Sequence, residues 1–151
     1  MIKFATRDSF QNRSYVTYCL AENSFSSSPL VNSDIGILIG YVNIGIDSET
    51  MLVKQVWGYS SKAVWKEKKL KTPDFTPTGV LVCGNLLPGM TYRYDNAGDW
   101  DTQFDPESGW ICIGNIEVED FDTAVEFMRN GGFVISNGSL KSIWLKPDFT
   151  C

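Results

Sequence analysis

Apolar positions along this chain recur mostly with the two-residue period of β-strands. Residues 14–21 are β-branched and aromatic, and residues 50–59 alternate, with Leu52, Lys54, Val56 and Gly58 on one side and Val53, Gln55 and Trp57 on the other. Residues 78–83, 90–94 and 109–114 are shorter runs of the same kind. Residues 34–47 read as one long buried strand, with Gly36, Gly40 and Gly45 marking bends or bulges. The Ser-rich stretch 24–33, with Pro29, reads as a loop.

The period changes in the C-terminal third. Asp120 is a natural N-cap, and Phe121, Ala124, Val125 and Met128 follow at the spacing of one helix face. Asn130-Gly131-Gly132 would then end the helix, because glycine takes the left-handed C-cap conformation at little cost. Two apolar runs, 133–136 and 140–146, flank Asn137-Gly138, the strongest short hairpin signal, and Pro147 ends the second. A weaker helix is expected over 61–70, capped by Ser60 or Ser61. These elements predict an α+β domain, residues 1–151, in which one or two helices pack on one face of a mostly antiparallel sheet. Neither an internal repeat nor a domain linker is visible.

A chain of 151 residues buries about two thirds of its unfolded surface and needs neither metal nor disulfides to fold. The four cysteines are widely spaced with no CxxC pair, so they are expected to be reduced, with Cys83 and Cys112 serving as small buried hydrophobes. Charges occupy the place of a signal-peptide apolar run, and 34–47 is too short to span a bilayer, so a cytoplasmic protein without membrane contact is expected.

The chain contains no histidine. That removes the commonest general base, the Ser-His and Cys-His nucleophile pairs and most zinc sites. Gly40 and Gly45 have phosphate-loop spacing, but Ile46-Asp47 follows where a Lys and a hydroxyl are required. Asp99, Asp101 and Asp105 alternate like calcium-loop ligands, yet Phe104 occupies the glycine position and Trp110 the bidentate Glu position. No catalytic residue, cofactor or metal site is therefore assigned. A carboxylate-based or divalent-cation-dependent hydrolase is the alternative.

Charge layout carries more. The net charge is −5. From residue 95 to 126 there are ten acidic residues and neither Lys nor Arg, while Lys62, Lys66, Lys68, Lys69 and Lys71 cluster in one short segment. So narrow a basic run argues against nucleic acid. The acidic third suits a basic protein, and its aromatic residues are candidate anchors. The expected partner-binding residues are Asp95, Asp99, Trp100, Asp101, Phe104, Asp105, Glu107, Glu117 and Glu119.

The ending Asn130-Gly131-Gly132-Phe133-Val134-Ile135-Ser136-Asn137-Gly138-Ser139-Leu140-Lys141-Ser142-Ile143-Trp144-Leu145-Lys146-Pro147 is similar in style to the C-termini of bacterial immunity proteins, the antidotes encoded beside contact-dependent inhibition and other polymorphic toxins. The resemblance implies occlusion: such a protein covers the active site of a cognate toxin domain, and nucleic-acid-cutting toxins tend to be basic. A phage or mobile-element protein that captures a host protein would share these features.

Overall fold

The structure, a computed structural model, describes residues 2–8, 14–94 and 100–151. Strands form nearly everywhere. In chain order they are β1 (Lys3–Arg7), β2 (Tyr15–Cys19), β3 (Ser24–Ser28), β4 (Ile35–Ile39), β5 (Val42–Asp47), β6 (Leu52–Tyr59), β7 (Lys66–Glu67) and β8 (Thr76–Pro77). There follow β9 (Gly79–Cys83), β10 (Thr91–Arg93), β11 (Thr102–Phe104), β12 (Ile111–Gly114), β13 (Thr123–Met128), β14 (Gly131–Ser136), β15 (Ser139–Leu145) and β16 (Asp148–Thr150). The only helical element among the described residues is a 3₁₀ turn, Lys62–Val64.

The α+β expectation is thus overturned: the protein is an all-β, two-sheet structure. The stretch expected as a helix after Asp120 is β13. In it Val125 and Phe127 point into the core, Ala124 and Glu126 lie on the other face, and Phe121 is exposed. Ala124 on the outer side packs against the cluster of Leu70, Cys112, Val134 and Trp144, and a bulge at Phe127 turns Met128 into the core with Val125. Burial on both sides mimics a helical stripe. Residues 61–70 bury only Trp65 and Leu70, which is no helical face. Residues 34–47 split into β4 and β5 at a tight turn, where Gly40 has φ +61°. The Asn137-Gly138 hairpin is present, with φ +50° and +79° at the two turn residues.

The sheets repeat each other. In each, a three-strand antiparallel meander (β4-β5-β6; β13-β14-β15) is extended by a hairpin (β3 and β2; β12 and β11). A short parallel strand flanks each side: β10 beside β4 and β16 beside β2 in the first sheet, β8 beside β13 and β7 beside β11 in the second. The bulges coincide too. The register slips after Gly45 in β5 and after Val134 in β14, leaving Lys54 and Lys141 as the extra residues of β6 and β15. Aligned this way, Lys54-Gln55-Val56-Trp57 superposes in register on Lys141-Ser142-Ile143-Trp144. The repeat is real but survives in the sequence only in such fragments.

The two halves exchange strands. β7 follows β6 yet joins the second sheet, and β16 follows β15 yet joins the first. Trp65, beside β7, is the pivot. Its ring lies 4.8 Å from Tyr18, 6.0 Å from Phe25 in a stacked pose, and 5.4 Å from Phe104, and its indole N–H donates to Ser60 Oγ at 2.9 Å. Phe149 of β16 meets Tyr18 and Phe104 from the other side, at 5.8 and 5.9 Å. β1 and β9 pair with each other and touch the first sheet through Leu52 and Leu81.

The expectation of four reduced cysteines also fails. Cys19 and Cys151 form a disulfide across the β2–β16 pair, with Cα atoms 5.2 Å apart. Cys83 is exposed, not buried; Cys112 is buried as expected, and burial pushes its thiol pKa up to about 12. Such a thiol is inert.

Trp65→Ala removes the ring that bridges the exchanged strands, and large aromatic truncations in cores cost about 3–5 kcal/mol. A urea titration of that variant is expected to show a loss of this size.

Candidate functional site

Among the described residues, the acidic third is only partly displayed as an acidic surface. Asp95 and Asp99 lie outside the described residues. Phe104 is 8% exposed and Asp105 5% exposed, so both are interior residues and not available as partner contacts. Trp100 is half-buried, edge-on to Tyr94 at 6.1 Å. Asp101 is exposed but paired with Lys66 at 3.0 Å. Asp122, nearby in sequence, is paired with Lys141 at 2.6 Å. Glu107, Glu117 and Glu119 remain exposed. The lysine segment thus folds back onto the acidic segment, and charges separated along the chain are neighbours in space. A groove of about 830 Å³ shows the same mixture: Lys69, Lys71, Glu117 and Asp120 all line it.

Asp105 has a structural job. Its carboxylate accepts the backbone N–H of Leu70 at 3.0 Å, of Glu107 at 3.0 Å and of Ser108 at 3.3 Å, so it anchors segment 68–70 to the end of β11. The Leu70 N–H leads in holding its pKa below the ordinary value, against a smaller opposing effect of burial. Asp122 is low despite burial, the largest single influence, because Lys141 and the Glu119 N–H together outweigh it.

The surface with the composition of a binding site is the outer face of the first sheet. Cross-strand pairing lays out two rows there. Thr91, Gly36, Gly45 and Gln55 form one, whose Gly45–Gln55 end lies buried under Val31 and Ser33, and Arg93, Leu38, Asn43 and Trp57 form the other, with Asn43 buried. Trp57 is 45% exposed, and beyond it Tyr41 and Tyr59 are exposed and meet edge-to-face at 6.2 Å. Glycines keep the floor low: a Cβ on Gly36 would come within 2.7 Å of Asn43 Oδ1. Asn43, Trp57, Met90, Thr91 and Asp34 line a pocket of about 140 Å³ over Gly36.

Carboxylates flank this face. Asp34, Asp47 and Glu49 surround a second depression that shares Ser33 and Asp34 with the first. Asp34 accepts from Ser48 Oγ at 2.5 Å and Ser48 N–H at 2.8 Å, and those bonds hold its pKa low.

Sequence reasoning placed Gln55 and Trp57 on one side of a strand correctly but took no site from them. The available signal was an aromatic pair, Trp57 and Tyr59, at alternate positions of one strand. Alternation shows that two side chains share a face, not whether that face is covered.

The depressed pKa of Asp105 gives a pH test. A carboxyl whose folded pKa is lowered contributes stability that is complete above its unfolded value and is lost as pH falls through the folded one. Asp105→Asn is therefore expected to have a lower urea midpoint than the wild type near about pH 7, the two converging toward about pH 2. No protein-family model matches the chain, and no curated protein is significantly similar to it.

Proposed function

We propose that this chain is a binding protein of the immunity type, which captures a basic protein domain and blocks it by occlusion, and that the outer face of the first sheet is its contact surface. The observation that carries this is the exposed cluster of Tyr41, Trp57 and Tyr59. Interface hot spots are enriched in Trp and Tyr, whose large faces exclude water from the contacts around them. Trp57 and Tyr59 stand on β6 and Tyr41 on the tight turn before β5, so little backbone freedom remains to be lost on association. The neighbouring Asp34, Asp47 and Glu49 supply negative potential, which steers and orients a basic partner. The net charge of −5 acts in the same direction.

The carboxylate-hydrolase alternative has less support. Of its three expected acids, Asp105 is occupied by three backbone donors and Asp101 by Lys66. For location, no helix among the described residues is long and apolar enough to cross a membrane. A cytoplasmic site is proposed with the immunity role, and the Cys19–Cys151 bond weighs against it, since disulfides persist mainly in oxidising compartments.

The test is retention of the product of the adjacent upstream gene by tagged protein, in low and high salt. Retention that weakens with salt is expected. Trp57→Ala is expected to weaken it about 30-fold or more, the loss typical of a hot-spot residue. Glu119→Gln and Phe121→Ala, on the mixed-charge loop, are expected to leave it unchanged. The reverse pattern would move the contact to that loop, and no retention by the folded wild type would remove the proposal.

A further inference from the structure

The internal repeat says what kind of group fits against Trp57. Trp57 and Trp144 occupy equivalent places in the two sheets, yet Trp57 is 45% exposed and Trp144 is fully buried. The difference is a cover supplied by the chain itself. Residues 68–75, with neither helix nor turn, lie against the outer face of the second sheet, tied down by Lys68 N–H to Phe104 O at 2.9 Å and Leu70 N–H to Asp105 Oδ2 at 3.0 Å. The Phe75 ring closes over Trp144, with centroids 6.4 Å apart, and stacks on Trp110 at 5.6 Å. Gly132 makes the approach possible, since a Cβ there would come within 2.6 Å of the Phe75 ring. The segment then enters β8, parallel to β13.

In the first sheet the matching flank strand is β10, parallel to β4. The segment leading into it is compact, not extended. Gly89 N–H donates to Asp34 O at 2.6 Å, and Met90 N–H to Leu87 O at 3.2 Å. It brings Gly89 and Met90, the latter 49% exposed, to the pocket, and Thr91 stands at the level where the second sheet has Phe75. Asn43 replaces Gly132, so the floor is shallower and more polar.

We propose that the Trp57 face is filled by an extended segment of a partner protein that lays one large apolar side chain beside the Trp57 ring, as Phe75 lies beside Trp144, with flanking cations reaching Asp34, Asp47 and Glu49. The chain's own cover has this chemistry: Lys68, Lys69 and Lys71 precede Phe75. The inference rests on the proposed binding role and adds the form of the ligand, an extended basic-apolar segment instead of a folded convex surface.

A synthetic peptide of residues 68–77 is the probe, titrated into the intact protein labelled at its tryptophan indoles and followed by NMR. The Trp57 resonance, assigned by its loss in Trp57→Phe, is expected to move saturably while that of Trp144 stays fixed. A Phe75→Ala peptide is expected to bind about tenfold more weakly or worse, as loss of an aromatic anchor predicts. An unmoved Trp57 signal, movement of Trp144 instead, or equal binding of the two peptides would each overturn the inference. The pull-down keeps the two proposals apart. A retained partner that shields Trp57, with no peptide binding, removes the extended-segment inference alone; failure of retention removes the binding role.

Discussion

The cluster of Tyr18, Phe25, Trp65, Phe104 and Phe149 is the contact on which the rest of this structure depends. It sits where the two halves exchange strands, β7 going to the second sheet and β16 to the first. Short parallel strands of two or three residues have too few hydrogen bonds to hold themselves in place. Burying the large rings beside them supplies the missing free energy, at about 25 cal/mol for each Å² of apolar surface removed from water. The Tyr18 hydroxyl and the Trp65 indole N–H both donate to Ser60, so the polar ends of these rings are satisfied inside the core. The Cys19–Cys151 bond closes the same region on the β16 side.

Exchange ties the sheets into one body, and the repeat then makes them comparable. The inner faces are alike, both aliphatic and aromatic. The outer faces diverge. One is sealed by residues 68–75 and has become a second small core of Leu70, Cys112, Val134 and Trp144. The other buries Asn43 and Gln55, with Gln55 donating to Val31 O and Ser33 Oγ, and leaves only the Trp57 end open. A tryptophan that one sheet buries and the other displays is a difference in cover, not in strand geometry. That difference, more than charge, supports the proposed contact face.

Charge works mainly inside the fold. Asp105 organises a turn and holds the covering segment, Asp122 is buried against Lys141, and Asp101 meets Lys66. Glu126, on the outer face of β13, has its pKa raised by burial. The carboxylates left over around the Trp57 face are those of residues 34, 47 and 49, which the acidic-third argument did not include.

Local chemistry was legible in the sequence wherever it is decided locally. Asn137-Gly138 forms its hairpin because both residues accept positive φ, and most short apolar runs became strands. The alternation expected over 50–59 holds for Gln55, Val56 and Trp57 and breaks at the Lys54 bulge, which puts Val53 in the core with Val56 instead of beside Gln55. The helix expected after Asp120 did not form, because a bulged strand buried on both sides shows the same apolar spacing as a helix stripe, and only the packing of its two faces distinguishes them. The repeat escaped notice because register, not residue identity, preserves it: Lys54 and Lys141 match as bulges, Trp57 and Trp144 as cross-strand neighbours of Asn43 and Gly132. The sequence by itself determined many of the short strands, the Asn137-Gly138 turn and the lack of histidine, since each follows from a few adjacent residues. Tertiary structure alone decided which tryptophan is covered, which carboxylates are engaged and where the cysteines meet, because each depends on segments far apart in the chain that only folding brings together.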